Sequence, residues 1–303
     1  SDILVSADPG VCEKSVDLGS AATSDNCGVD NVSSNISGSF PVGETTVIWT
    51  VTDIYGNTAT ASQLVTVTDD EAPSITAPVT ITISTDSGSC EARVSDLGTP
   101  VTSDNCAVDT VTNDAPASLP YGTTTIVWTV TDIHGNTATA TQDVTVIDQL
   151  RPSITAPDDI ITTTDAGVCE AIVDLGTPVT DDNCGVDYIL NNAPSSFSIG
   201  TTTVIWTVTD IHGNTASAVQ HVTVSDNEDP TITPPADIYT SAAAGLCRAT
   251  VSLGSPVTFD NCGVASVNNN APANFPVGQT TVVWTVTDIH GHTATAEIGR
   301  AHV

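Results

Sequence analysis

Apolar and polar residues alternate with period two along most of this chain. In Thr203-Val204-Ile205-Trp206-Thr207-Val208-Thr209, Val204, Trp206 and Val208 fall on one face, and Thr203, Ile205, Thr207 and Thr209 fall on the other. One apolar face at that period marks a half-buried strand, because successive side chains point to opposite sides of a sheet. The Asp-Ile-His-Gly-Asn stretch at 210–214 reads as a tight turn, since Gly and Asn tolerate positive φ. It should therefore join two antiparallel strands. The pattern returns four times, around Trp49, Trp128, Trp206 and Trp284, and so divides the chain into near-equal units. About seven short strands per unit, with turns roughly every 8–12 residues, predict a small β-sandwich. The units are 1–69, 70–148, 149–226 and 227–303. Each Trp sits mid-strand beside Val, which suits a core plug and not a sugar-stacking platform.

Composition supports an all-β chain. Thr (50 of 303 residues) and Val (37) are the commonest residues, and both are stiff at χ1 and favour strands. Charge removes whole classes of function. Five Lys+Arg against 36 Asp+Glu give a net charge of −31. Nucleic-acid binding needs a basic face for counterion release, and an anionic membrane surface needs one too. No apolar run approaches the roughly 20 residues of a membrane span, so membrane insertion is not expected. The chain contains no Met, so any start codon lies outside it, and it reads as a processed product or a window from something longer.

The eight cysteines fall two per unit, and within each unit the second follows the first at nearly the same spacing. No second Cys or His pair stands at zinc-ligand spacing. An even count in small β units predicts one disulfide inside each unit: Cys12–Cys27, Cys90–Cys106, Cys169–Cys184 and Cys247–Cys262. Each would close a loop of about 15 residues and contribute roughly 3 kcal/mol in the chain-entropy picture. Such bridges place the protein in an oxidising compartment.

The third unit carries G-V-C-E-A-I-V-D-L-G and D-N-C-G-V. The fourth carries F-P-V-G-Q-T-T-V-V-W-T-V-T-D, and G-N-T-A recurs in the first three. Together these motifs resemble the hyalin repeat, or HYR module, over nearly the whole chain. The resemblance implies an immunoglobulin-like sandwich of extracellular and surface proteins, associated with adhesion and without common catalytic residues. One departure is clear: where the family often has a second Cys pair, this chain has Ala77 and Ala140, Ala156 and Ala218, and Pro234 and Ala296. The expected architecture is all-β, four tandem immunoglobulin-like domains arranged as an extended rod. Short Pro-containing linkers at 69–73, 148–152 and 226–230 favour that arrangement.

Two ends of the array look unusual. The first unit lacks the P-x-I-T-A-P strand, and the last ends in Glu297-Ile298-Gly299-Arg300-Ala301-His302-Val303 in place of the regular final strand. An arbitrary cut from a longer array is one reading. The other is assembly, in which a neighbouring subunit's strand completes the first unit and gives an open head-to-tail filament.

Acidic residues recur before Asn-Cys, in the hairpin turn and in the linkers. If the Asp-Asn-Cys segment lies at a unit's exit end, then Asp25, Asp69, Asp70, Glu71 and Asp132 form one candidate Ca²⁺ set. Asp182, Asp226, Glu228, Asp229 and Asp288 form another. The competing reading has each Asp capping its own turn, and Arg151 paired with Asp148 weakens the calcium case at the middle linker. His134, His212 and His290 share one turn slot, with Tyr55 there in the first unit, and read as exposed turn residues. Asn31 and Asn35 stand in glycosylation sequons. No catalytic motif is visible.

The sequence therefore predicts a non-enzymatic, extracellular structural or adhesion protein that self-associates into a filament or longer array. The alternative is a Ca²⁺-dependent adhesin or glycan-binding module array with a cell-surface or glycan partner.

Overall fold

The computed structural model describes residues 1–302, with side chains described through 298. The chain falls into two compact bodies, residues 1–149 and 150–303, each holding two repeats. Every described element is a strand.

The second repeat shows the plan. Its main sheet runs in the order Val108–Asn113, Gly122–Asp132, Thr137–Ile147, Ile81–Ser84. The first three strands are antiparallel, and Ile81–Ser84 lies parallel to Thr137–Ile147. Two small ladders cover the other face: Ser74–Thr76 with Val101–Ser103, and Glu91–Ala92 with Leu119–Pro120. The third and fourth repeats pair in the same way.

The period-two pattern fixes which face is buried. Along Gly122–Asp132, Ile126, Trp128, Val130 and Asp132 point inward. Trp128, Trp206 and Trp284 are 6%, 6% and 7% exposed, so they are core plugs. Opposite each stands an alanine in register, Ala140, Ala218 and Ala296, which makes room for the indole. Each indole also needs a partner for its N–H, because a buried unpaired donor is costly. Trp128 Nε1 donates to Gln142 Oε1 at 3.0 Å, and Gln142 Nε2 donates to the carbonyls of Val79 and Leu97, both at 2.9 Å. Gln220 does the same for Trp206, Asp158 and Leu175. In the fourth repeat Ile298 takes the glutamine's place, and Trp284 Nε1 is buried without a partner.

The first repeat has no counterpart of Ser74–Thr76. Its core therefore lacks the isoleucine that Ile75, Ile154 and Ile232 supply elsewhere. An open groove of about 300 Å³ remains, lined among others by Ala22, Ser24, Trp49, Val51 and Ala61, and Trp49 is only half-buried. The altered end of the fourth repeat still forms a strand, Thr293–His302, paired with Gln279–Asp288. The side chains of 299–302, and Val303, lie outside the described residues.

Candidate functional site: the junctions between repeats

Strand direction decides what meets at a junction. In the first repeat Ile3–Ser6 runs parallel to Thr58–Thr68, with Ser6 opposite Thr68. Both strands finish at the exit end, so residues 7–12 lie beside the linker: Ala7 N–H donates to the Thr68 carbonyl (2.8 Å) and Gly10 N–H to Glu71 Oε2 (2.9 Å). In the second repeat Val108 pairs opposite Asp132, and Ile133 N–H donates to the Ala107 carbonyl at 3.1 Å. The Asp104-Asn105-Cys106 segment therefore sits beside the hairpin turn, at the entry end.

The predicted bridges are corrected by this geometry. Cys12 bonds to Cys106 and Cys169 to Cys262, with Cα–Cα distances of 4.6 and 4.7 Å. Cys90 and Cys184 are also disulfide-bonded, while Cys27 and Cys247 are free and exposed. None of the pairs Cys12–Cys27, Cys90–Cys106, Cys169–Cys184 or Cys247–Cys262 forms. The reason is length. The stretch between the two cysteines of one repeat crosses the whole sandwich and does not fold back on itself. Long strands such as Thr137–Ile147 run from one end of the sandwich to the other. At the rise of an extended chain such a strand spans roughly 35 Å, far beyond disulfide reach. Cys12 of the first repeat is instead delivered to Cys106 of the second, and Cys169 of the third to Cys262 of the fourth.

Three side chains reinforce the first junction. Asn105 Nδ2 donates to Asp69 Oδ1 (3.0 Å) and to the Val11 carbonyl (3.4 Å). His134 Nδ1 lies 3.0 Å from Asp69 Oδ2, and Asn136 Nδ2 donates to the Asp69 carbonyl at 3.1 Å. The junction of the third and fourth repeats has the same arrangement. Asn261 reaches the Val168 carbonyl, Thr164 and Asp226, and His290 Nδ1 lies 2.9 Å from Asp226 Oδ2. His134 and His290 are exposed turn residues, and each also reaches a junction aspartate through its ring. The sequence carries a signal for them, since D-N-C and the turn histidine recur at the same spacing, but nothing local says that the two segments touch.

The acidic residues sort differently from the sequence expectation. Carboxylate oxygens of Asp69, Asp104 and Asp132 lie within 4.8 Å of one another. Asp25 and Asp182 sit at the entry ends of their own repeats, so they do not join the linker acids that follow. Asp104 takes that role at the first junction. Glu71 and Glu228 face the preceding repeat, capping Gly10 and Gly167. Asp70 bonds Ser6 and Thr68, and Asp229 is exposed. Asp226 and Asp288 do converge, with His292. Asp104 Oδ1, Asn105 Oδ1, Asp260 Oδ2 and Asn261 Oδ1 are buried with no hydrogen-bond partner. Asn31 is exposed, but Asn35 has a structural role. Its Oδ1 accepts from Ile48 N–H, as Asp114, Asn192 and Asn270 do for their strands.

The HYR domain profile matches residues 147–224 and 225–298, about half of the chain. The chain belongs to the HYR domain family. It is 32% identical over 278 residues to hyalin of Strongylocentrotus purpuratus, covering 86% of this chain and 23% of that protein. Hyalin of Lytechinus variegatus is 31% identical over 277 residues, covering 86% and 52%. The chain thus spans about a quarter and about half of these relatives. Among solved structures, extracellular cadherin domains 1–4 of protocadherin gamma B7 align at a TM-score of 0.33 and 11% identity, over 90% of this chain and 91% of that one. That likeness carries no weight here. HYR membership together with the disulfides places the chain outside the cell.

Within these HYR repeats the hairpin aspartates stay ionised. Burial alone would raise Asp132, but the side chain of Asn136 and the N–H groups of Asn136, His134 and Gly135 outweigh it and hold the group below the usual carboxylate value. Asp210 is lowered in the same way through Asn214. In the fourth HYR repeat His292 replaces that asparagine. Its Nδ1 lies 2.9 Å from Asp288 Oδ2, which lowers Asp288 against its burial and raises His292.

Proposed function

We propose that this HYR array is a non-enzymatic structural and adhesive element outside the cell, whose repeats act as stapled links that resist being pulled apart. What supports this is the course of the bridges: Cys12–Cys106 and Cys169–Cys262 each tie one repeat to the next, across a junction that also shares part-buried hydrogen bonds. The test is aggregation of beads coated with the chain in oxidising buffer, with free chain as competitor. Beads that stay dispersed, and that bind no cell displaying the same chain, would sink the adhesive reading.

A second reading has its own support. At the first junction three carboxylates converge and two buried oxygens lack donors, and Ca²⁺ takes 6–8 oxygen ligands of this kind. Asp69, Asp104, Asp132 and Asn105 would hold it. The ion would neutralise their repulsion and stiffen the junction. Millimolar Ca²⁺ should then raise the melting temperature more than Mg²⁺ or NaCl of equal ionic strength, and D104N should remove the difference. Identical melting in chelator and Ca²⁺ would end this reading.

A further inference from the structure

The hairpin turn of the fourth repeat departs from the other three at its last residue. It reads Asp288-Ile289-His290-Gly291-His292, where the earlier turns end in Asn57, Asn136 and Asn214. Each of those asparagines donates Nδ2 to its turn aspartate, at 2.7 or 2.8 Å. An amide nitrogen is a donor only and has no lone pair for a metal ion. The imidazole of His292 has one, and it is aimed at the same place, with Nδ1 2.9 Å from Asp288 Oδ2.

A second pair of the same kind stands beside it. His290 Nδ1 lies 2.9 Å from Asp226 Oδ2. A carboxylate oxygen of Asp226, one of Asp288 and a ring nitrogen of His292 all lie within 4.8 Å of one another. Both carboxylates are held in direction. Asp226 Oδ1 accepts from Glu228 N–H (3.1 Å) and Asn261 Nδ2 (3.4 Å), and Asp288 Oδ1 accepts from the N–H groups of His290 and His292, both at 2.8 Å. In each, one oxygen is tied down and Oδ2 faces an imidazole. Outer hydrogen bonds of this sort orient metal ligands. The two aspartate side chains are fully buried, while those of His290 and His292 are 27% and 33% exposed, which leaves a way in for an ion. Cys262 lies close to Asp226 and His290 as well, but its sulfur is bonded to Cys169 and is no thiolate.

We propose that Asp226, Asp288, His290 and His292 bind one Zn²⁺, which ties the linker between the third and fourth repeats to the hairpin turn of the fourth. Two imidazole nitrogens and two carboxylate oxygens make a four-coordinate set that suits this ion, and no cysteine takes part. At bond lengths of about 2.0–2.1 Å, tetrahedral ligands stand roughly 3.4 Å apart. Each 2.9 Å pair therefore opens slightly, and the wider group closes to the same spacing. The ion replaces the hydrogen between each Nδ1 and its carboxylate, and each neutral imidazole then carries its proton on Nε2. The two carboxylates balance the divalent charge. Ca²⁺ takes 6–8 oxygen ligands and is poorly served by such a set. The site is thus separate from the calcium reading at the first junction, where Asn136 stands in the slot of His292.

The experiment titrates Zn²⁺ into the native oxidised chain by calorimetry, in millimolar Ca²⁺ and with Cys27 and Cys247 alkylated so that no thiol competes. It is repeated with Co²⁺, followed by visible absorption. One ion should bind per chain, and Co²⁺ should show the intense bands of a four-coordinate ion. H292N restores the residue that the other repeats carry, so it should keep the turn. It should weaken binding by at least about 100-fold, beyond the roughly 10–100-fold that loss of an outer partner costs, and H290N should do the same. N136H completes the matching set with Asp69, Asp132 and His134 and should add a second ion. Zn²⁺ should raise the melting temperature of the native chain and leave that of H292N unchanged. The proposal is overturned by a native chain that binds no Zn²⁺, by binding that survives in the H290N/H292N double variant, by the weak spectrum of six-coordinate Co²⁺, or by an N136H chain that still takes up a single ion. Bead clustering enters none of these outcomes, so the site and the adhesive reading stand or fall separately.

Discussion

Single residues in this fold carry roles that the repeat makes visible by exception. The buried Gln142 accepts from one indole and donates to two carbonyls. Replacing it with Leu leaves three groups unpaired, each costing about 1–3 kcal/mol less any relaxation. Q142L should therefore lower stability by roughly 3 kcal/mol in urea denaturation. The fourth repeat offers the reverse substitution: I298Q gives Trp284 Nε1 an acceptor, and should cost far less than Q142L despite placing an amide in the core. An equal loss from both would mean that the indole bond does not matter. His292 supplies a pH test. Its folded pKa is raised, so the stability it contributes is complete below pH 6.5 and is lost as pH rises through the folded value. Between pH 6 and 8 the melting temperature of the native chain should fall more than that of H292N.

At the scale of elements, the strands were legible and the bridges were not. Alternation around Trp128 and Trp206, and turn chemistry at 132–136 and 210–214, are local signals, and the structure places strands and hairpins there. Cysteine spacing is local too, and it misled. It counts residues along the chain, whereas a disulfide requires that two ends of a sandwich be told apart. That distinction comes from the parallel pairing of Ile3–Ser6 with Thr58–Thr68 and from the antiparallel register that sets Val108 opposite Asp132, which no periodicity reports. The same blind spot put Asp25 and Asp182 in the acidic clusters and left out Asp104. The corrected pairing has a measurable consequence. Cys12–Cys106 closes a separation of 94 residues, for which the chain-entropy model gives about 4–5 kcal/mol against about 3 for a short local loop. C12S and C106S should destabilise the 1–149 body equally, by up to that amount, and their double variant should be no worse than either. C27S should change stability little. A large loss from C27S would restore the local pairing.

For the whole molecule the governing quantity is charge. A net −31 on 303 residues leaves few cations to offset 36 acids, and the Debye length of about 10 Å at 0.1 M lets neighbouring carboxylates repel at low salt. Added NaCl should therefore raise the melting temperature. Two effects of acid then oppose each other. Protonating carboxylates relieves general repulsion, which favours the folded state. Asp53, Asp132, Asp210 and Asp288 are held below 3.8, first by the Asn57 side chain at Asp53, and at the others by hydrogen bonds that outweigh burial. A lowered carboxylate contributes stability that is present above its unfolded value and is lost as pH falls through the folded one. Salt separates the two effects, because it screens repulsion between exposed groups far more than hydrogen bonds inside a buried turn. In 0.5 M NaCl, melting temperature should hold nearly level from pH 5 to about pH 4 and then fall steeply. In 10 mM NaCl the same titration should first rise, as repulsion is discharged, before falling. D132N, which cannot be discharged, should flatten the acid limb in high salt. A limb unchanged by D132N would mean that the hairpin carboxylates contribute no stability to these turns.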